Sequence, residues 1–447
     1  MTALSDATNM VNAPDTIVAL ASGVGPAAIA VVRVSGPKTR EVLEALCGGL
    51  PEPRHAALRD IGPPHWSLLD RGLVLFFEAP ASFTGEDMAE LQVHGSRAVI
   101  SELIEAVLSL DGTRLAEPGE FARRALENGK LDLRQIEGLA DLVNAETRCQ
   151  REQALLQAQG VASARYEAWR RGLLRAQAIV EAELDFADEG DVGVGASVDG
   201  CRIVDGLLRE IDEPLRGDGE RLRDGVRIVI AGAPNAGKSS LLNALARRDV
   251  AIVSEEAGTT RDVIEVHLDL AGLPVILTDT AGLRDAAGKV EAEGVRRALA
   301  RAEEADVVLW LVDATAPLWD PPAALKAKAS IVAVNKIDLA EVAAGSSAVP
   351  ISVKTGQGLD RLIASLEDQA ALATESGAGS PLMTRARHRV ELEGARDALR
   401  RFGDPSLSPE LKAEELRVAA RHLGRLTGRI DVEEVLGAIF AEFCIGK

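Results

Sequence analysis

The chain is poor in the residues that build redox, disulfide and base-stacking sites. Its four cysteines, Cys47, Cys149, Cys201 and Cys444, stand far apart and form no Cys-x-x-Cys pair. That spacing indicates neither a zinc site nor a disulfide framework, and it is what reduced thiols in a cytoplasmic protein look like. Aromatic residues are 3% of the chain, too few for a surface that reads RNA bases by stacking. No apolar run approaches the ~20 residues of a membrane-spanning helix, so no membrane partner is expected. The first thirty residues lack Lys and Arg and include Asp6 and Asp15, the wrong charge for a secretory leader. A net charge of −19 works against non-specific coating of nucleic acid or anionic lipid, though it leaves room for a local basic patch.

What is present is an ordered set of phosphate and base motifs. Residues 232–239 read Gly-Ala-Pro-Asn-Ala-Gly-Lys-Ser, and Thr-Thr-Arg-Asp (259–262), Asp-Thr-Ala-Gly (279–282) and Asn-Lys-Ile-Asp (335–338) follow. The first is a phosphate-binding loop, whose backbone N–H groups and helix N-terminus make an anion cradle. Gly232 and Gly237 let the backbone approach phosphate. Lys238 is expected to reach the β- and γ-phosphates, and Ser239 and Thr260 to give hydroxyls to Mg²⁺. Asp279 is expected to hold that ion through water. The nucleotide contacts then span Asn235, Ala236, Gly237, Lys238, Ser239 and Ser240, the loop Ser254, Glu255, Glu256, Ala257, Gly258, Thr259 and Thr260, and Asp279, Thr280, Ala281 and Gly282. Asn335, Lys336 and Asp338 select guanine, because a carboxylate accepts from its ring N–H and exocyclic amine while adenine offers the wrong pattern. Ser352, Val353 and Lys354 stand where a backbone contact to the guanine oxygen is usual. The set predicts binding and hydrolysis of GTP.

One departure bears on the chemistry. Ras-type switches carry a Gln after Asp-x-x-Gly to orient the attacking water, and here the position is Leu283. Asn235 and the Ser254–Thr259 carbonyls are suited to a monovalent cation beside the phosphates. Glu291 is suited to polarising the water, and equally to being a solvated helix-end carboxylate.

At this length two to four domains are expected. Residues 16–130 mix short apolar strands (Ala28–Val34, Leu73–Phe77, Glu90–Val93) with a helical stretch at Ala98–Ser109, a compact α+β pattern. Leu131–Asp212 reads as largely helical, broken by a Gly/Asp-rich stretch at 189–200. Pro214–Gly225 and Thr374–Pro381 read as linkers. Between them Arg227–Ala231, Val275–Asp279, Val307–Asp313 and Ile331–Asn335 are apolar runs expected of buried parallel strands. From Leu382 on, the pattern is helical again. The expected organisation is multidomain α+β and α/β: an N-terminal domain over 1–128, a discontinuous all-α domain over 129–222 and 378–447, and an inserted P-loop domain over 223–377. Arg417, Arg421 and Arg425 share a helix face and are open to two readings, phosphate tracking or pairing with Glu414 and Glu415. Apolar residues at helical spacing predict a docked helix over Asp431–Phe443, which would deliver Cys444 to the chain end, either as a reactive thiol beside Lys447 or as an inert one.

Together with Asp-Thr-Ile-Val-Ala (15–19), Phe-Thr-Gly-Glu-Asp (83–87), Glu-Leu-Gln-Val-His-Gly (90–95), Pro-Gly-Glu-Phe (118–121), Asn-Gly-Lys-Leu-Asp-Leu (128–133) and the terminal Cys-Ile-Gly-Lys, these motifs resemble a family over almost the whole chain. It is the tRNA uridine-5-carboxymethylaminomethyl modification GTPases, which act on wobble uridine with a flavoprotein partner. The resemblance implies a tetrahydrofolate-binding-like N-terminal domain that also mediates homodimerisation. Arg33, Glu90, Lys130 and Lys447 would contact a 5-formyl or 5,10-methylene folate. It implies K⁺ at Asn235, Ser254, Glu256 and Thr259, Glu291 as the water-orienting residue, a role for Cys444 in modification, and FAD on the partner. Ser254 and Glu256 depart from the Thr and the apolar residue common there. The alternative reading is a ribosome-assembly GTPase that only binds RNA, which would need neither the folate-like residues nor the terminal Cys.

Overall fold

The computed structural model describes residues 15–23, 25–63, 68–185, 195–252, 265–279, 305–322, 325, 329–341, 348–374, 381–428 and 446. The chain divides into two units, residues 1–140 with 427–447, and residues 141–426.

The first unit runs β1 (Thr16–Leu20), β2 (Ala27–Ser35), α1 (Thr39–Cys47), β3 (Ala57–Ile61), β4 (Asp70–Phe77), β5 (Met88–Gly95), α2 (Arg97–Leu108), β6 (Thr113–Leu115) and α3 (Glu120–Glu127), then enters α4 (Leu133–Asn144). Its sheet has the order β3-β4-β5-β2-β1-β6, antiparallel except for the β1–β6 pair. Alternation assigns the faces. Ala30, Val32 and Val34 of β2, with Val74, Phe76, Leu91 and Val93, form a core with Val42 and Leu43 of α1 and Leu103 and Val107 of α2. The intervening residues point the other way, and they include Arg33 and Glu90, directly opposite in register. α2 starts because the Ser96 hydroxyl accepts from the Val99 amide at 3.2 Å, an N-cap.

The second unit continues with α5 (Arg148–Ala158), α6 (Val161–Asp185), α7 (Gly195–Leu215), α8 (Gly219–Asp224), β7 (Val226–Gly232), α9 (Lys238–Leu245), β8 (Glu265–Leu270), β9 (Leu273–Asp279), β10 (Val307–Asp313), β11 (Ala329–Asn335), β12 (Val349–Pro350), α10 (Leu359–Thr374), α11 (Ala386–Phe402) and α12 (Pro409–Thr427). The sheet order is β12-β11-β10-β7-β9-β8. Every pair is parallel except β8–β9. β10 is buried along its whole length, because alternate residues enter different cores: Val307, Leu309 and Leu311 one, Val308, Trp310 and Val312 the other. A separate helical core joins Tyr166, Trp169 and Ile211 to Leu392, Leu399, Leu416 and Leu423, elements that precede and follow the parallel sheet in sequence. Trp169 donates its indole N–H to Glu210 at 2.7 Å, as a buried indole must.

Three local expectations change. Pro214–Gly225 is not a plain linker: α7 runs through Pro214 to Leu215, and α8 follows. α8 holds because Leu222 is buried and Arg221 pairs with Asp306 at 2.7 Å and Asp218 at 3.1 Å. The helix α7 already begins at Gly195, inside the stretch read as a break. Strand β8 adds an antiparallel edge to a sheet read as parallel. The helix expected over Asp431–Phe443 lies outside the described residues. Among the described residues no helix is long and apolar enough to cross a membrane.

Candidate functional site

The ends of β7, β9 and β11 bring the described nucleotide motifs together. β7 runs into the loop Gly232–Gly237, and α9 begins at Lys238. Asn235 takes φ +65° and Gly237 φ +99°, left-handed conformations that turn backbone N–H groups into a concave nest. The glycines also answer to their neighbours. A Cβ at Gly232 would collide with the Leu311 carbonyl of β10, and one at Gly237 with the Asn335 amide. Sequence reasoning assigned both to phosphate approach, and packing against protein atoms is a second constraint on them.

Lys238 is buried, and its ammonium donates to the carbonyls of Gly232 and Ala233 at 3.0 Å each. Burial lowers its pKa despite the opposing pull of Asp279. Ser239 donates to Asp279 Oδ2 at 2.5 Å, so a hydroxyl from α9 and a carboxylate from β9 converge. Two hard oxygens at one point suit Mg²⁺. Ala236 is fully buried under the loop, and Ser240 lies in the first turn of α9.

At the base end, Asn335 donates from Nδ2 to the Ala236 carbonyl at 2.9 Å and accepts from the Val353 amide at 3.0 Å. One amide thus ties the phosphate loop to the 352–354 turn. Asp338 accepts from Ser352 at 2.7 Å, and the Thr355 amide donates to the same hydroxyl at 3.2 Å. Lys354 belongs to this turn and is exposed. Lys336 takes φ +70° and its ammonium pairs with Asp313 at 2.5 Å. Sequence reasoning passed over Asp313. Burial would raise its pKa, but bonds from Lys336 and Thr315 outweigh that and hold the carboxyl below its usual value. The signal was available: a lone Asp closes the apolar run Val307–Val312, at the strand end where α/β sheets carry chemistry.

The first unit holds a second constellation. Arg33 donates twice to Glu90 Oε1, at 3.1 and 2.8 Å, and its guanidinium lies 5.4 Å from the Phe83 ring and 5.7 Å from Phe121. Lys130 donates to the Pro80 carbonyl at 2.9 Å, and its stem packs beside Gly85. Arg124 secures the intervening loop by bonds to Glu86 at 3.1 Å and to the Asp15 carbonyl at 2.8 Å. Gly446 is so close to β1 that a Cβ there would collide with the Leu20 carbonyl. Gly446 therefore lies one strand from Arg33, which pairs with Ala19.

Ser254, Glu255, Glu256, Ala257, Gly258, Thr259, Thr260, Thr280, Ala281, Gly282, Leu283, Glu291, Cys444 and Lys447 lie outside the described residues. Of the two readings of the basic helix face, the ion-paired one holds for Arg417 and Arg421, and Arg425 is not without a partner either. Arg417 pairs with Glu181 at 2.9 Å and Glu414 at 3.3 Å, and Arg421 with Glu414 at 2.9 Å. Glu415 pairs instead with Arg401. Among the other thiols, Cys47 is pushed up to about 12 by burial, which leaves it unreactive.

Two family descriptions match the chain: the TrmE N-terminus of GTP-binding proteins over residues 16–130 and the MnmE helical domain over residues 133–444. A tRNA modification GTPase MnmE from Mesorhizobium japonicum is 52% identical over 443 residues, covering 97% of this chain and 99% of the relative. The chain belongs to the MnmE family. A second relative of that description, from Rhodopseudomonas palustris strain BisB5, is 50% identical over 457 residues, with 97% and 99% covered. As a MnmE-family protein the chain is a tRNA modification GTPase that hydrolyses GTP, and the strand-end pocket is where its sequence and fold gather the phosphate and base motifs.

Proposed function

We propose that this GTPase is a potassium-stimulated homodimer working with an FAD-carrying flavoprotein. The pair installs a carboxymethylaminomethyl or aminomethyl group at C5 of tRNA wobble uridine in the cytoplasm. In this reading Mg²⁺ is held by Ser239 and Thr260, with Asp279 acting through water. Asn235 and the oxygens of Ser254, Glu256 and Thr259 hold K⁺, which supplies the positive charge that an arginine finger gives elsewhere. Glu291 orients the water in place of the Gln that Leu283 cannot replace. Asp338 reads guanine, with Asn335, Lys336 and the Ser352–Lys354 turn around it. Residues 223–377 form the nucleotide domain, 129–222 and 378–447 the helical domain around it, and 1–128 the folate-binding and dimerisation domain.

Arg33, Glu90, Lys130 and Lys447 would take a 5-formyl or 5,10-methylene tetrahydrofolate. The support is chemical. A pterin edge offers donors that suit Glu90, a folate tail is anionic, and the phenylalanines beside Arg33 form an aromatic wall. Gly446 lies against β1, one strand from Arg33, and Cys444 is proposed to act in the modification step. The observation that carries the GTPase half is the convergence of Ser239 and Asp279 beneath a left-handed phosphate loop. Its test is turnover of GTP in potassium and in sodium buffers across a range of protein concentration. Faster, concentration-dependent turnover in potassium is expected. Equal rates in both salts, indifferent to concentration, overturn it. Mass spectrometry of tRNA from a deletion strain tests the modification half, which fails if the modified wobble base persists.

A further inference from the structure

The hairpin β8–β9 ends in a polar junction with the helical region of the same unit. Its tip, Ala271 at φ +54° and Gly272 at φ +93°, is pinned from inside by Asp269, which accepts from the Gly272 amide at 2.7 Å. The Gly272 carbonyl then accepts from the Cys149 amide at 3.0 Å. Cys149 lies in the first turn of α5, where helix N–H groups have no partner within the helix. The cap itself is a box: Thr147 accepts from the Gln150 amide, and the Gln150 side chain accepts from the Thr147 amide. A turn away, His267 of β8 meets Glu146 at 2.8 Å.

This junction differs from the apolar packing that covers both faces of the sheet. Here the contact is a backbone bond and a His–Glu pair, beside a cavity of about 230 Å³ lined by Asn144, Gln150, Arg223, His267, Leu268 and Val275. Polar bonds next to a void rearrange without tearing a packed core, whereas close-packed interfaces do not deform continuously. The strand β9 is laddered on both sides, to β7 and β8, so it moves as a unit. One end of it carries Asp279 on Ser239, and the other turns into Gly272.

We propose that Glu146, His267 and the Gly272 carbonyl are positioning groups for GTP hydrolysis. Through β9 they set where Asp279 stands relative to the nucleotide's metal, and in return the first turn of α5 responds to which nucleotide is bound. Reciprocity follows from linkage: if the junction biases the metal end of the pocket, occupancy of the pocket biases the junction. A plain structural dock would hold the hairpin equally in every state.

The test uses the full-length protein and two readings. Amide exchange at Arg148–Gln153 is followed by mass spectrometry without nucleotide, with GDP and Mg²⁺, and with a non-hydrolysable GTP analogue and Mg²⁺. A difference of about tenfold between the GDP and analogue states is expected at the first turn of α5. Glu146→Gln and His267→Gln are expected to shift the Mg²⁺ concentration for half-maximal hydrolysis by about threefold, with KM for GTP at saturating Mg²⁺ unchanged. Both results are required. Identical exchange across the three states overturns the proposal even if the variants fold poorly, and so does a wild-type Mg²⁺ dependence in folded variants.

Discussion

The two sheets of this chain place chemistry in opposite ways. The parallel sheet β12-β11-β10-β7-β9-β8 is covered on both faces, so β10 has no face to offer. The groups that the sheet contributes to the nucleotide site, Asp279, Asp313 and Asn335, each close a strand. The first sheet packs one face into the core with α1 and α2, and around β1 its other face is covered by a smaller cluster of Ile17, Ala19 and Phe121. Arg33 and Glu90 sit in mid-strand on the other face, paired across β2 and β5. A sheet buried on both sides is forced to work at its carboxyl edge. A mostly antiparallel sheet whose second face is only partly covered can carry paired charged groups in mid-strand on that face. The lesson is that the same alternation of residues means packing in one sheet and a candidate ligand site in the other.

The predictions probe that contrast, beginning with the largest effect. Removing the loop ammonium by Lys238→Ala should lower kcat for GTP by about 10²–10³-fold, the scale for one charge-stabilising donor, with the proposed folate binding untouched. Loss of both would mean that the strand-end and face sites are not independent. Asp338→Asn should lower the preference for GTP over xanthosine triphosphate by about 10²-fold or more, measured by competition for hydrolysis. Unchanged selectivity would remove Asp338 from base recognition. On the second face of the first sheet, Arg33→Ala should weaken the proposed binding of 5-formyl tetrahydrofolate by about tenfold or more, the loss expected for a charged hydrogen-bonding partner. GTP turnover should stay the same. Calorimetry would show it, and full-strength binding would return Arg33 to a strand-edge role.

The smallest effect concerns stability. Glu120 is almost fully buried. Desolvation pushes its pKa up, but bonds from Arg114, the Glu117 amide and Arg124 outweigh this and hold it at about 2 against an ordinary 4.5. A depressed folded-state value means stability that is present above about 4.5 and lost as the pH falls towards about 2. Glu120→Gln should therefore flatten the acid limb of first-unit unfolding in that window. An unchanged slope would show that the ion-pair cluster does not set acid stability.

The strand-end chemistry was legible because it is written in contiguous motifs. Gly-Ala-Pro-Asn-Ala-Gly-Lys-Ser and Asn-Lys-Ile-Asp name their own turns, and the apolar runs before them announce buried strands. β8 was missed although Glu-Val-His-Leu-Asp-Leu alternates cleanly, with Val266, Leu268 and Leu270 buried. A search for uniformly apolar strands overlooks the half-exposed edge. α8 was missed because Gly-Glu-Arg-Leu-Arg-Asp has a single buried apolar anchor, and much of its remaining hold is ionic, with Asp306 and Arg389 distant in sequence. The Arg33–Glu90 pair was legible only through the family resemblance, since register between β2 and β5 is a tertiary fact. Asp313 was visible but unmarked, because its partner Lys336 is 23 residues away.

The missing side chain at Gly237 has a consequence for how loss of function would be diagnosed. Its van der Waals space is occupied by the carboxamide that also anchors the guanine-side turn. An alanine there would push on Asn335 before it obstructed any phosphate. The resulting defect would present as impaired nucleobase discrimination, and a mutational scan sorted by sequence motif would assign it to the wrong half of the pocket.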